Sequence, residues 1–399
     1  MGALLNESES TLPAIKKWPC LVCGSDRLKY LSDYGRISRI TSDCKPFPSG
    51  GKLATCADCG GVQKMPDKRL HREVARIYAQ YQAYFQAGGA EQMAFDAEKG
   101  EIRPRSAILI NRIKRCAALP TQGTMLDVGC GSGVTLRAFS QHFPQWILDG
   151  LELSADTENM LVSIPGFRTC HVGGKGLAAI EGNYQLISFV HSLEHFFAPL
   201  PELIAVKARL ASDGALFVQV CNIEENPFDL LIADHVLHFS PNSLCTLMRC
   251  AGLTPLSIET SWVAKEISAL AVNKTDTGGA SFTMPTSKWA GVESSLHWLT
   301  QLSEWARKQV NSGYQVGVFG TSIASSWLSH ELEGKNAFFV DEDAARIGRH
   351  YLGRPVIAPR DVRPDDIVLL GLAPSTASQL QERLKSSFAG NWMLPPALF

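Results

Sequence analysis

A chain of 399 residues is longer than one ordinary core organises, so two or three domains are expected. With 45% apolar and 19% charged residues and a net charge of -1, the composition is that of a folded globular protein, and it offers no basic surface for nucleic acid or an anionic membrane. No run of roughly 18 apolar residues occurs, so no membrane-spanning helix is expected, and the opening MGALLNESESTLPAIKKWPC lacks the basic-then-apolar order of a secretory signal.

Eleven cysteines, an odd number, argue against a disulfide framework and for a reducing cytoplasm. Four of them fall in two C-x-x-C pairs: Cys20 and Cys23 in CLVC, then Cys56 and Cys59 in CADC, the second pair followed by Gly60 and Gly61. Each pair delivers two thiolates from a tight turn, which is the ligand set of a tetrahedral Zn2+ site. Four sulfurs close the coordination sphere, so this metal is expected to be structural and not catalytic. Residues 1–65 form the expected zinc-binding module, too small for a secure core without its metal. Cys44, between the pairs, is an available but unneeded fifth thiol.

The next stretch, RLHREVARIYAQYQAYFQAGG, places Ile77, Tyr81, Tyr84 and Phe85 at helical spacing before AGG breaks the run. Residues 66–115 read as a helical linker or lid, with Tyr78, Tyr81 and Tyr84 as packing residues.

GTMLDVGCGSGVTLRAFSQHFP reads as strand, glycine turn and helix, with Met125 to Val128 as the strand and Gly129, Gly131 and Gly133 in the turn. The dinucleotide fingerprint G-x-G-x-x-G needs a third glycine where Val134 stands, so a nicotinamide oxidoreductase is disfavoured. D-x-G-x-G-x-G suits S-adenosylmethionine, which has no phosphate to cradle; Asp127 can organise its positively charged aminoacyl end. WILDGLELS ends a second strand at Glu152, placed to accept hydrogen bonds from both ribose hydroxyls. FRTCHVG, YQLISFVHSLEHF and GALFVQVCN continue the strands, and LTPLSIETSW with KEISALAVN reads as a closing antiparallel pair. Strands alternating with helices imply an α/β fold with a mostly parallel sheet, Rossmann-like, over residues 116–275.

LDVGCGSG, LELS and FVHSLEHF together resemble the class I S-adenosylmethionine-dependent methyltransferases. The whole layout resembles the branch that C-methylates nucleotide-linked deoxysugars: zinc module, methyltransferase core and C-terminal Rossmann-like module. The resemblance implies S-adenosyl-L-methionine as cofactor and a small-molecule acceptor, a sugar or nucleotide-linked sugar of a carbohydrate biosynthesis pathway. The third module spans 283–399, with YQVGVFGTSIASSWLSHEL carrying Gly317 and Gly320, and NAFFVDEDAARIGRHYLGRPV ending a strand at Asp341, Glu342 and Asp343. Its G-x-x-G loop is too degenerate for a dinucleotide; the resemblance implies acceptor recognition.

Between strand five and the closing pair lies NPFDLLIADHVLHFSPNS. Asn226-Pro227 signals a helix start, giving a short helix with Asp234 and His235 at its end, and Ser240-Pro241 starts the next, ended by Gly252. An insertion here lies at the carboxyl edge of the sheet, where ligands bind in such folds. Methyl transfer from a sulfonium needs the reacting atoms in line, and a base where the acceptor loses a proton. His235 is the expected base with Asp234 as its partner; His195 is the second candidate, and His191 lines the cofactor pocket beside Glu194. Metal binding by these residues is not expected, because no three share a ligand spacing. The resembled family carries Tyr-His-Glu-His where this chain has Ile232, Ala233, Asp234 and His235. The lost tyrosine weakens enolate stabilisation, so O-methylation stands beside C-methylation. A monomer or homodimer is expected, without nucleic acid or membrane as partner. The rival readings are a non-catalytic cofactor-binding scaffold and a methyltransferase for a non-sugar acceptor.

Overall fold

The computed structural model describes residues 18–81, 91–96, 98–173, 176–274, 282–311 and 313–398. Tyr84 and Phe85 lie outside the described residues, so the proposed lid stripe is described only at Ile77, Tyr78 and Tyr81.

The two cysteine knuckles form because Gly24 and Gly60 take positive φ, 77° and 71°, and their amides close turns onto the Cys20 and Cys56 carbonyls at 2.9 and 3.0 Å. Strands Leu28–Leu31, Leu53–Cys56 and Val62–Lys64 follow as an antiparallel sheet. That sheet takes a fourth strand from far along the chain: Leu237–His238 pairs antiparallel with Val62 and Gln63. Helix Lys68–Tyr78 is capped by Asp67, whose carboxylate accepts from the Arg69 and Leu70 amides, and it buries Leu70, Val74 and Ile77.

The central sheet has seven strands in the order Phe167–Val172, Ile147–Glu152, Thr124–Val128, Tyr184–Val190, Leu210–Cys221, Glu266–Val272 and Thr254–Glu259. All neighbours pair parallel until Glu266–Val272, which runs antiparallel to both strands beside it. The mostly parallel α/β architecture is therefore as the sequence pattern implied. The fifth strand starts at Leu210, ahead of the expected Gly214. The strands are apolar nearly end to end because helices cover the sheet; Leu126, Leu148, Ile187, Leu216 and Val218 are fully buried.

A second parallel sheet carries Val316–Phe319, Phe338–Val340, Arg354–Ile357, Ile367–Leu369 and Asn391–Met393, with His350–Tyr351 added as a hairpin. Within its first strand, a Cβ on Gly317 would sit 2.2 Å from the Phe338 ring, so this glycine serves packing. Asp341, at the end of the next strand, accepts from Thr321 Oγ1 at 2.9 Å and faces Arg346 Nη1 at 3.3 Å. That carboxylate is already engaged by protein.

The segment Asn226–Ser240 is wedged between the first and third modules. One correction applies: Pro227–Leu231 is a single 3-10 turn, and Asp234 and His235 lie beyond it, not at a helix end. Phe228 packs against Trp298 and Trp327 at ring separations of 5.5 and 6.2 Å. Trp327 also donates its indole N–H to the Ser38 carbonyl at 3.1 Å, and Tyr351 reaches the Cys44 carbonyl at 3.5 Å. Cys44 is thus buried against the third module, and burial pushes its thiol up to about 12. Helix Pro241–Cys250 follows, with Ser240 and Ser243 forming a capping box and Gly252 at φ 73° closing it. No helix among the described residues is long and apolar enough to cross a membrane.

The cysteine knuckles should be the weak point of the fold. Cys20→Ser is expected to lower the melting temperature by at least about 5 °C and to release the metal; an unchanged melting curve in metal-free protein would exclude a structural ion.

Candidate active site

The four front cysteines meet as expected. Cys20 and Cys59 sulfurs are 3.6 Å apart, and those of Cys23 and Cys56 are 3.7 Å apart. Zinc–sulfur bonds of about 2.3 Å in a tetrahedron give sulfur edges of roughly 3.8 Å, so the cluster fits zinc. A disulfide would hold its sulfurs at about 2.05 Å.

At the carboxyl end of Thr124–Val128, Gly129, Gly131 and Gly133 take φ of 76°, 50° and 77°. A Cβ on Gly129 would lie 2.6 Å from that of Ser192, whereas nothing lies within 4 Å of the Cβ position at Gly131. That open space above a left-handed residue is what a cofactor pressed on the loop would need. Glu152 orders the loop: its carboxylate accepts from the Gly131 amide at 2.8 Å and from Leu153 at 2.7 Å. Each oxygen keeps a lone pair for a ribose hydroxyl. Asp127 is buried in its strand and accepts from Ser188 Oγ at 2.6 Å. Burial pushes its carboxyl up to about 7, against the Ser188 hydrogen bond. An ammonium group beside it would draw it back to the charged form.

The loop reaches the histidines through Ser192, whose hydroxyl donates to the Val128 carbonyl at 2.6 Å. His195 follows, and its ring stands perpendicular to that of His235 with centroids 4.7 Å apart. The expected pairing of His235 with Asp234 is corrected here. His235 Nδ1 meets Asp229 Oδ1 at 2.8 Å, and His238 Nδ1 meets Asp229 Oδ2, also at 2.8 Å. Burial opposes ionisation of Asp229, but the two imidazoles outweigh it and hold its carboxyl far below the usual range. Burial, reinforced by Lys64, drops His238 to about 4, so it stays neutral and donates. An Nδ1–H given to Asp229 fixes the His235 tautomer whose lone pair sits on Nε2.

Asp234 has a different task. Its carboxylate accepts from the Ser42 amide at 2.8 Å and the Ser42 hydroxyl at 2.5 Å, and its carbonyl lies 3.0 Å from His195 Nδ1. It ties the histidine segment to the first module. Lys64 does the same: its buried ammonium donates to the carbonyls of Ile232 and His235, the latter at 2.6 Å. Burial and then Arg39 bring that ammonium down to about 7. Tyr78, read from sequence as packing, stands edge-on to His195 with ring centroids 6.1 Å apart.

His191 lies on the same edge, with φ 50°. Nδ1 is 3.4 Å from Glu194 Oε1, and Nε2 is 3.2 Å from Glu266 Oε1. Burial alone would depress this imidazole; Glu266 reverses that, and it rises to about 9. Asp229, Lys64 and Glu266 were not singled out from sequence. Asp229 and His238 did stand at close spacing from His235 within one apolar segment, which was the available signal.

Residues 101–258 match the family model described as "Methyltransferase domain". The chain is 30% identical to "C-methyltransferase NovU" of Streptomyces niveus over 34% of each protein, so it matches about a third of that relative's length. Similar solved structures include an S-adenosylmethionine-dependent methyltransferase from Clostridium acetobutylicum, 12% identical, covering 42% of this chain and 90% of that one with a TM-score of 0.35. Another is the CcbJ methyltransferase from Streptomyces caelestis, 12% identical, covering 50% and 95% with a TM-score of 0.35.

Gly131→Val would fill the open space above the loop. Calorimetry is expected to show S-adenosylmethionine affinity weakened on the order of 100-fold; retained affinity would mean that the cofactor lies elsewhere.

Proposed function

We propose that the chain, whose residues 101–258 match the methyltransferase-domain family, is a class I S-adenosylmethionine-dependent methyltransferase that methylates a small hydroxylated acceptor, a sugar or nucleotide-linked sugar, with His235 as general base. One observation carries the choice of base: a buried Asp229 holds His235 by Nδ1, with the His235 ring facing His195. The arrangement of acid, imidazole and a lone pair left on Nε2 is that of a general base.

S-adenosylmethionine supplies an electrophilic methyl group when bound. Gly129, Gly131 and Gly133 would let it approach the backbone, Glu152 would hold its ribose, and Asp127 would answer its ammonium group. His235 Nε2 would take the acceptor's proton while Asp229 stabilises the imidazolium that forms. His195, neutral because burial and His235 depress it, would stand beside the acceptor as a hydrogen-bonding partner. Tyr78 would add a phenol next to His195, in a region where Ile232 replaces the tyrosine of the resembled family.

A cavity of about 360 Å³ opens past the end of strand Leu210–Cys221, lined by Asn222, Glu224, Glu225, Thr260, Trp289 and Leu398 among others. Its size suits a small-molecule site and its polar lining suits hydroxyl groups. We assign it to the part of the acceptor that is not methylated. The similarity to NovU, a C-methyltransferase, supports carbon as the methylated atom; the hydroxyl oxygen is the alternative.

Two measurements test this reading. Incubation with methyl-labelled S-adenosylmethionine and a panel of keto and hydroxyl nucleotide-linked sugars should give label transfer by mass spectrometry; no transfer to any member, with cofactor bound, would place the acceptor outside this class. His235→Ala should cut turnover roughly 10²–10⁴-fold with cofactor affinity kept, and Asp229→Asn should also lose roughly 10²-fold or more. Normal turnover in His235→Ala would remove it as the base.

A further inference from the structure

We propose that His191, Glu194 and Cys221 form a second metal site, for a divalent cation of the zinc type, at the carboxyl edge of the central sheet. Sequence spacing conceals it, because Cys221 ends the strand beside the one that leads into His191 and Glu194. His191 Nδ1 is 3.4 Å from Glu194 Oε1 and 4.0 Å from Cys221 Sγ, and one donor atom from each residue falls within 4.8 Å of the others. A tetrahedral zinc ion with bonds of about 2.0 Å to N and O and 2.3 Å to S sets donor separations of roughly 3.3–3.6 Å, so small side-chain movements complete the site.

A second observation points to the ligand. Glu194 is 1% exposed, yet neither carboxylate oxygen has a hydrogen-bond partner. Its nearest counter-charge is the His191 imidazole at 3.4 Å, beyond good hydrogen-bond range, and a cation seated between the two would satisfy the carboxylate more fully. Gln219 Oε1 and Glu266 Oε2 are likewise buried without partners. His191 itself is held at φ 50°, a strained conformation for a residue with a Cβ.

The surroundings fit a metal-bound imidazole. With Nδ1 on the cation, Nε2 faces Glu266 Oε1 at 3.2 Å, and Arg105 Nη1 lies 3.4 Å from the same oxygen. A carboxylate on the far nitrogen is the usual device that orients a ligating histidine. The mixed N, O and S donors select a borderline ion such as Zn2+ or Co2+. Three protein donors leave a fourth position open for water or an acceptor oxygen, unlike the closed four-sulfur knuckle. The assignment rests on donor atoms and burial, and it stands whichever acceptor is methylated.

The test uses the full chain carrying one zinc in the four-cysteine site, verified by metal analysis, and titrates it with Co2+. One further equivalent should bind, with visible cobalt bands and a thiolate-to-cobalt charge-transfer band that Cys221→Ser removes. Glu194→Gln should raise the Kd for Co2+ at least 10-fold. No Co2+ beyond the first site, or binding indifferent to both substitutions, would overturn the proposal. Should those variants fail to fold, Glu266→Gln reads the same site: a 10–100-fold weaker Kd supports it, and unchanged affinity refutes it.

Discussion

The candidate active site depends on a strand of two residues. Leu237 and His238 add to the edge of the zinc module's sheet, and the Lys64 amide continues the ladder to the Val236 carbonyl at 2.8 Å. Further back, the Ala233 amide donates to the Ile40 carbonyl at 2.7 Å. The segment is therefore fixed by backbone pairing from a module outside the methyltransferase domain. The central domain holds the other side, where the Val236 amide donates to the Glu194 carbonyl at 2.8 Å and the Ile223 amide to the Phe239 carbonyl at 2.9 Å.

Pairing sets position; charge sets protonation. One buried carboxylate, Asp229, serves two imidazoles, and a buried ammonium, Lys64, serves two carbonyls. Each group would be costly alone, and each is satisfied by its neighbours. The third module closes the other side through Phe228, Trp298 and Trp327. The four-cysteine cluster at the front carries the sheet that this segment joins.

What could be read from sequence divides along physical lines. The zinc knuckles and the glycine loop were legible because their constraints are local: two cysteines per turn, and glycines where the backbone needs positive φ. The parallel sheet was legible from strands alternating with helices. The partner of His235 was not, because Asp234 is adjacent in sequence but its carboxylate goes to Ser42 and lies 3.5 Å from His195 Nδ1. Asp229 reaches His235 only because a 3-10 turn and the added strand fold the segment back. Tyr78 read as packing since a helix period shows which face is buried and not what lies across from it. Lys64 carried no signal in the sequence, because only the joining of distant strands buries it.

The central claim is that the zinc module builds the catalytic segment, and hydrogen–deuterium exchange tests it directly. Peptides covering Val62–Lys64, Ile232–His238 and Thr124–Val128 would be followed in zinc-loaded and chelated protein. The account predicts that Ile232–His238 loses protection together with Val62–Lys64 on metal removal, while Thr124–Val128 stays protected. Retained protection at Ile232–His238 after Val62–Lys64 has opened would contradict it.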